Sequence, residues 1–253
     1  MNNKIDIRNW KPQDGEKIFE LEEKCWAPWL RMTADILSSI AGVFPEGQLL
    51  VEDENGLIRA SLTTNRIEWP GKEKFPTWDE VAGEGIESGD YHLTYKKDGD
   101  TLVMMSMNVH PDFRGEGYPG LMLERLRNYS KQNEIKHIIG PFRPSDYGIF
   151  KLKQTDPGFS KYCEMKREDG MPVDGWLRNL YRNGMKKIKI QKKSMFVKVS
   201  KDEFEQFKVN YRPDLWKEIK KNTWECGEVG NWKLFADHAI YTEDNIWGEM
   251  PLV

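Results

Sequence analysis

The residues with most chemical content follow Val109, in the run His110-Pro111-Asp112-Phe113-Arg114-Gly115-Glu116-Gly117-Tyr118-Pro119-Gly120. Gly115, Gly117 and Gly120 put bare backbone at the entrance of an apolar helical pattern, Leu121, Met122, Leu123 and Leu126. The first N–H groups of a helix have no partners within it, and the helix dipole adds positive potential there. Such an end suits a phosphate or pyrophosphate, and Arg114 supplies a full charge beside it. A tight strand-to-helix turn with no ligand is the other reading of three glycines, and both stand at this point. The run has no Gly-Lys-Ser/Thr, which argues against a P-loop for nucleoside triphosphates. A dinucleotide fingerprint would need Gly-x-Gly directly after the strand, where His110–Arg114 intervenes.

The elements that must position this turn are a strand at Leu102–Val109, a helix at about Gly117–Gln132 and a strand at Lys136–Gly140. That succession implies parallel pairing with a right-handed crossover. Upstream, Ile5–Trp10 alternates like a strand, and Asp14–Trp26 places Ile18, Leu21, Cys25 and Trp26 near one helical face. A helix at Met32–Ala41 has Thr33 as its N-cap. Gln48–Glu52 and Leu57–Ile67 read as strands joined at Glu54-Asn55-Gly56. Residues 70–100 read as a long loop with a short helix. Downstream, helices are expected near Gly158–Arg167 and at Gly175–Asn183, the latter ending at Gly184. Lys187–Ile190 and Met195–Val199 follow as a strand pair. No repeat or low-complexity linker interrupts the chain.

The 253 residues carry a net charge of −3, which gives no general attraction to nucleic acid or acidic membrane. Three cysteines, Cys25, Cys163 and Cys226, form no CxxC pair, and no metal-ligand spacing with the four histidines is recognisable, so no metal is expected. The beginning of the sequence lacks the apolar run of a signal peptide and no stretch reaches membrane-spanning length, so a soluble, cytoplasmic protein is expected.

Arg114, Gly117 and Val109-His110-Pro111 resemble the signature of the GNAT superfamily of N-acyltransferases, Arg/Gln-x-x-Gly-x-Gly/Ala after a strand ending near Val-x-Pro. By order of elements the resemblance covers about residues 4–200. It implies an α/β (α+β) fold: a mixed, mostly antiparallel sheet flanked by helices and splayed at the fourth and fifth strands to admit the pantetheine arm of acyl-CoA. It also implies that backbone groups of Met107, Asn108 and Val109 pair with that arm. Gly115, Glu116, Gly117, Tyr118, Pro119 and Gly120 would hold the pyrophosphate with Arg114. Pro119 departs from the signature. It removes one N–H, and its fixed φ suits a first helical turn. The segments Pro76-Thr77-Trp78-Asp79-Glu80, Phe142-Arg143-Pro144-Ser145 and Glu243-Asp244-Asn245-Ile246-Trp247 look like those of one GNAT-like subgroup.

The resemblance gives residues 1–200 as the acyl-CoA domain, and residues 201–253, with Trp216, Trp224, Trp232 and Trp247, are too aromatic for a disordered tail and read as an extension docked on it. It implies transfer of an acetyl or other acyl group from acyl-CoA (acetyl-CoA, coenzyme A) to a small-molecule or peptide amine, by direct attack in a ternary complex. Tyr181 is the candidate general acid and Asp174 stands where the family often has a cofactor-contacting Asn. No base is visible on the strand before the turn. Glu68, Asp79 or Glu80 could act through water, or the substrate could arrive already neutral; Asp79 and Glu80 read first as helix caps. His110 reads first as a solvated loop histidine. Arg143 either binds an acidic acceptor or forms an internal ion pair. A degenerate acyl-CoA-binding sensor and a pure interaction module are the competing classes, and a homodimer is left open.

Overall fold

The computed structural model describes residues 5–69, 71, 75–83 and 89–253. Residues 70, 72–74 and 84–88 of the expected long loop lie outside the described residues, as do 1–4. The chain divides into two compact units, residues 1–140 with 251–253, and residues 141–250.

In the first unit the strands β1 (Ile5–Asn9), β2 (Leu49–Asp53), β3 (Ile58–Ile67), β4 (Thr101–Val109) and β5 (His137–Phe142) lie in chain order. Successive pairs are antiparallel except β4 with β5, which is parallel. The parallel ladder runs over Thr101↔His137, Leu102↔Ile138 and Val103↔Ile139. No pairing of Met104–Val109 with β5 is present among the described residues, so the later half of β4 keeps an open backbone edge. The sheet is thus mixed, mostly antiparallel, and parts at its fourth and fifth strands, as the resemblance implied. β2 and β3 meet in the expected turn, where Asp53 Oδ1 accepts from Asn55 N at 2.9 Å and Leu57 N at 3.1 Å. Gly56 there has φ +77°.

Helices α1 (Gly15–Cys25), α2 (Ala34–Val43), α3 (Trp78–Ala82), α4 (Tyr91–Thr94) and α5 (Tyr118–Gln132) surround this sheet. Thr33 caps α2 by accepting from Ile36 N at 3.3 Å. Thr77 and Glu80 form a capping box on α3, with Thr77 N donating to Glu80 Oε2 at 2.7 Å. The core is continuous through Ile18, Leu21, Leu37, Ile40, Leu62, Leu102, Met122 and Leu126, all buried. The β3–β4 register passes from Thr63↔Ser106 to Thr64↔Met104, so Met105 is an extra residue, a bulge that bends the strand. Its carbonyl accepts from Trp78 Nε1 at 3.0 Å.

The second unit contains α6 (Tyr147–Lys153), α7 (Phe159–Glu164), α8 (Gly175–Arg182), β6 (Lys186–Ser200), α9 (Lys201–Asn210), β7 (Lys217–Lys220), β8 (Thr223–Glu225), β9 (Asn231–Leu234) and β10 (His238–Met250). β10 pairs antiparallel with both β6 and β9, and β9, β8 and β7 continue as an antiparallel meander. The expected strand pair at 187–199 is instead one strand. Its apparent break is a bulge: Lys193 has φ +49°, and its N–H donates to Asp244 Oδ1 at 2.9 Å. Trp232 is fully buried among Phe204, Phe207 and Tyr241, with ring centroids 5.4, 5.9 and 5.5 Å away. No described helix is long and apolar enough to cross a membrane.

Candidate functional site

The expected turn forms. Val109 ends β4, a single 3-10 turn spans Pro111–Phe113, and Gly115 and Gly117 take φ +94° and +84° before α5 begins at Tyr118. A Cβ added at either glycine would meet nothing within 4 Å, so the left-handed backbone alone demands glycine there. The N–H groups of Gly115, Glu116, Gly117 and Tyr118 make no hydrogen bond among the described residues. Gly120 N is turned back onto Gly117 O at 3.0 Å, and Pro119 has no N–H to offer. Arg114 is exposed and forms no ion pair among the described residues. Four backbone donors and one guanidinium at the mouth of a fifteen-residue helix make a cradle that can donate hydrogen bonds to an anion.

A carboxylate in the cradle would repel such a ligand, and Glu116 sits between the two glycines. It is drawn aside by accepting from the Tyr118 hydroxyl, and Arg59 Nη1 lies 3.6 Å from its Oε2. Arg59 is buried on β3. It donates to Asp53 Oδ2 through Nε and Nη2, both at 3.2 Å, and to Tyr118 Oη at 3.2 Å. Its guanidinium also lies 4.2 Å over the Phe113 ring. One cation thus clamps the hairpin, the turn and the first residue of α5. His110, expected in solvent, is buried: Nδ1 accepts from Asp112 N at 3.3 Å and the ring packs on Phe113. Proline at 111 and this local bond hold it inward.

On β4 the backbone of Met107–Val109 lies beside the open edge, while the Asn108 side chain is buried and committed. It accepts from Trp26 Nε1 and donates to Ser61 Oγ at 3.1 Å and Glu22 Oε1 at 3.5 Å. Glu22 Oε2 accepts from Met32 N at 2.9 Å. Burial is the main influence on Glu22 and pushes its carboxyl up to about 7. Sequence reasoning missed this residue. The available signal was helical spacing, because Ile18, Leu21, Glu22 and Cys25 fall on one face at i, i+3, i+4 and i+7. Cys25 Sγ lies 3.5 Å from Val109 O, and burial pushes the thiol up to about 11.

Tyr181 and Asp174 lie in the second unit. Asp174 is the N-cap of α8: its carboxylate accepts from Leu177 N at 2.9 Å, Asp146 N at 2.8 Å and Tyr162 Oη at 3.4 Å. Tyr181 is half-buried on α8, its hydroxyl makes no hydrogen bond among the described residues, and burial raises its pKa. Arg143 resolves to the internal ion pair: Nη2 lies 2.9 Å from Glu228 Oε2 and Nε 3.2 Å from Glu243 Oε1. The segments Phe142–Ser145 and Glu243–Trp247 therefore meet each other. Among the base candidates, Glu80 is spent on the capping box and Glu68 is exposed.

No known family profile matches the chain. A probable hydrolase, YhcX of Bacillus subtilis, is 28% identical over 157 residues, 60% of this chain and 28% of that protein. The uncharacterised N-acetyltransferase YkwB of the same organism is 26% identical over 141 residues, 54% of this chain and 59% of that protein. Both matches thus span less than two thirds of these relatives' own length. Among solved structures, the loading GNATL domain of CurA from Lyngbya majuscula superposes with a TM-score of 0.68 at 17% identity, covering 99% of this chain and 98% of that one. The GphF GNAT-like decarboxylase, in complex with isobutyryl-CoA, gives 0.63 at 20% identity, covering 98% and 100%. At these identities the likeness establishes a shared fold, the GNAT fold.

Proposed function

We propose that this GNAT-fold chain is an acyl-CoA-dependent N-acyltransferase, moving an acetyl or other acyl group to a primary amine by direct attack in a ternary complex. One observation carries the reading: four N–H groups, Gly115 to Tyr118, without partners among the described residues, open beside an exposed Arg114 that forms no ion pair among them, at the mouth of α5. They fit the diphosphate of coenzyme A, and the open edge of Met107–Val109 offers backbone groups to an amide-bearing arm such as pantetheine. The YkwB relative, an N-acetyltransferase by name, supports the same reading.

In this reading the bound thioester is attacked by the neutral amine. The C–N bond forms, the C–S bond breaks, and the thiolate takes a proton. Family resemblance alone makes Tyr181 the donor, and its uncommitted hydroxyl is compatible with that. Asp174 would contact the cofactor beside its capping bonds, not in place of them. Positioning of the two reactants is worth up to ~7–11 kcal/mol in favourable cases. The acceptor is a small molecule or a peptide amine.

Calorimetry with coenzyme A and acetyl-CoA tests the premise. Saturable binding is expected, and no heat up to about millimolar ligand would sink it. Acetyl transfer over an amine panel then tests the chemistry. Undiminished turnover in Tyr181→Phe would remove that residue from the acid role.

A second reading, decarboxylation of a carboxyacyl-CoA, is favoured by the absence of any carboxylate on β4. There the C–C bond breaks, carbon dioxide leaves, and the enolate is protonated at carbon, with no base needed. Carbon dioxide released from malonyl-CoA without amine acylation would select it. Binding with neither reaction would leave a sensor.

A further inference from the structure

The geometry points to Glu22 as the proton acceptor for the incoming ammonium, acting through water and the Ser106 hydroxyl; this deepens the acyl-transfer reading and rests on it. α1 packs over β3 and β4 and places the Glu22 carboxylate 3.5 Å from Asn108 Nδ2, one residue before Val109. The carboxylate forms no ion pair among the described residues. Its partners are two neutral donors, Met32 N and the Asn108 amide. A buried carboxylate kept for structure alone is ordinarily matched by a cation, because an uncompensated charge costs several kcal/mol.

Its surroundings hold unspent polar groups. Ser61 and Thr63 of β3 and Ser106 and Asn108 of β4 share one face of the ladder, through the pairs Ser61↔Asn108 and Thr63↔Ser106. Thr63 is 0% exposed and its hydroxyl has no hydrogen-bond partner among the described residues; Tyr91 of α4, 1% exposed, is in the same position. Orphan hydroxyls of this kind are costly unless water or a ligand meets them. Ser106 is only half-buried and donates to Asn108 Oδ1 at 3.4 Å, so a polar track leads from the accessible part of β4 toward the carboxylate.

The step balances. One proton passes from R–NH3+ through water to Glu22, leaving a neutral amine. Its lone pair forms the C–N bond as the C–S pair departs on sulfur. The second N–H proton converts thiolate to thiol, and Glu22 releases its proton to solvent. Burial sets the Glu22 carboxyl near 7, suited to this task. The charged or titratable groups around it are few. Cys25 on α1 is pushed up to about 11, Tyr91 on α4 is raised well beyond the neutral range, and Arg31 acts from after α1. β3 and β4 contribute only the uncharged Ser61, Thr63, Ser106 and Asn108, and α2 buries Leu37, Ile40 and Ala41.

The test is the pH profile of acetyl transfer between about pH 5.5 and 9 for wild type, Glu22→Gln and Glu22→Asp, with coenzyme A affinity measured alongside. Wild-type kcat/KM should rise about tenfold per unit to a midpoint near 7. Glu22→Gln should lose that limb and about 10²–10⁴ of the rate while binding coenzyme A as before, and Glu22→Asp should retain the limb. A folded Glu22→Gln enzyme that keeps both limb and rate overturns the proposal. Should that variant fail to fold, Ser106→Ala carries the test: a loss of about tenfold or more is expected with the limb in place, and an unchanged rate overturns it. A wild type that binds coenzyme A and acylates no amine overturns the acyl-transfer reading itself, and this role with it.

Discussion

Arg114 and Arg143 each stand just past the end of a strand, β4 and β5, yet they meet opposite fates. Arg143 is half-buried in the second unit between Glu228 and Glu243. Glu228 also accepts from Tyr211 Oη at 2.8 Å and Arg212 Nη1 at 3.3 Å, and Glu243 from Tyr241 Oη at 2.8 Å and Asn245 Nδ2 at 3.1 Å. Arg114 is exposed beside four N–H groups unspent among the described residues, and Glu116, which lies among the glycines, is held by Tyr118 and Arg59, while Asp112 on the other side stays exposed. Every charge in the first cluster answers another charge on the same chain. The turn keeps its positive groups uncommitted and restrains the carboxylate that lies between its glycines. Charge satisfied internally marks architecture, and charge left open on a rigid support marks a place for something else.

The contrast breaks most visibly at Arg143. Arg143→Ala leaves the buried Glu243 carboxylate without its cation and Glu228 with Arg212 alone, and should cost about 3–5 kcal/mol in denaturant unfolding. A loss below about 1 kcal/mol would mean the cluster is not holding the second unit together. Glu22, buried and without an ion pair among the described residues, sharpens the comparison. Its carboxyl is raised to about 7 from an ordinary 4.5, so folding takes up a proton between those values. The stability it contributes is complete below about 4.5 and disappears as pH rises through about 7. Glu22→Gln should therefore be the more stable protein at about pH 8, by up to about 3 kcal/mol, with the advantage shrinking toward about pH 5. Melting curves that run parallel across that range would contradict it.

At the turn itself, Gly117→Val forces a β-branched residue into φ +84° and misaims the neighbouring N–H groups. Coenzyme A should bind at least 100-fold more weakly, about 2.7 kcal/mol, as read by calorimetry. Unchanged affinity would take the turn out of the site. The smallest effect belongs to Arg114→Ala, about tenfold or 1.4 kcal/mol, and it should fade as salt is added because the guanidinium is exposed.

The turn was legible in the sequence because its backbone needs a residue without Cβ, so composition and conformation coincide. The strand before it and the helix after it follow from their apolar periods. Other features were hidden by local signals with two meanings. Lys192 and Lys193 look like the polar punctuation between two strands, and only the partner Asp244 shows that they form a bulge in one. Gly148 reads as a helix breaker, which concealed α6. It is there because a Cβ would come within 1.9 Å of the Gly227 carbonyl oxygen, a long-range contact that no window contains. Glu22 lay among Glu16, Glu20 and Glu23, all of which face solvent. The ion pairs of Arg143 reach across 85 residues to Glu228, a partner that spacing does not announce.

Met105 has a further consequence for β4. The pairs on either side of it, Thr63 with Ser106 and Thr64 with Met104, would still follow one another if it were removed. Registration therefore does not require the residue; a strand one unit shorter would zip to β3 just as well. What excision would erase is curvature, together with the carbonyl that anchors the Trp78 indole, so a deletion there should yield a protein that folds with a straighter β4.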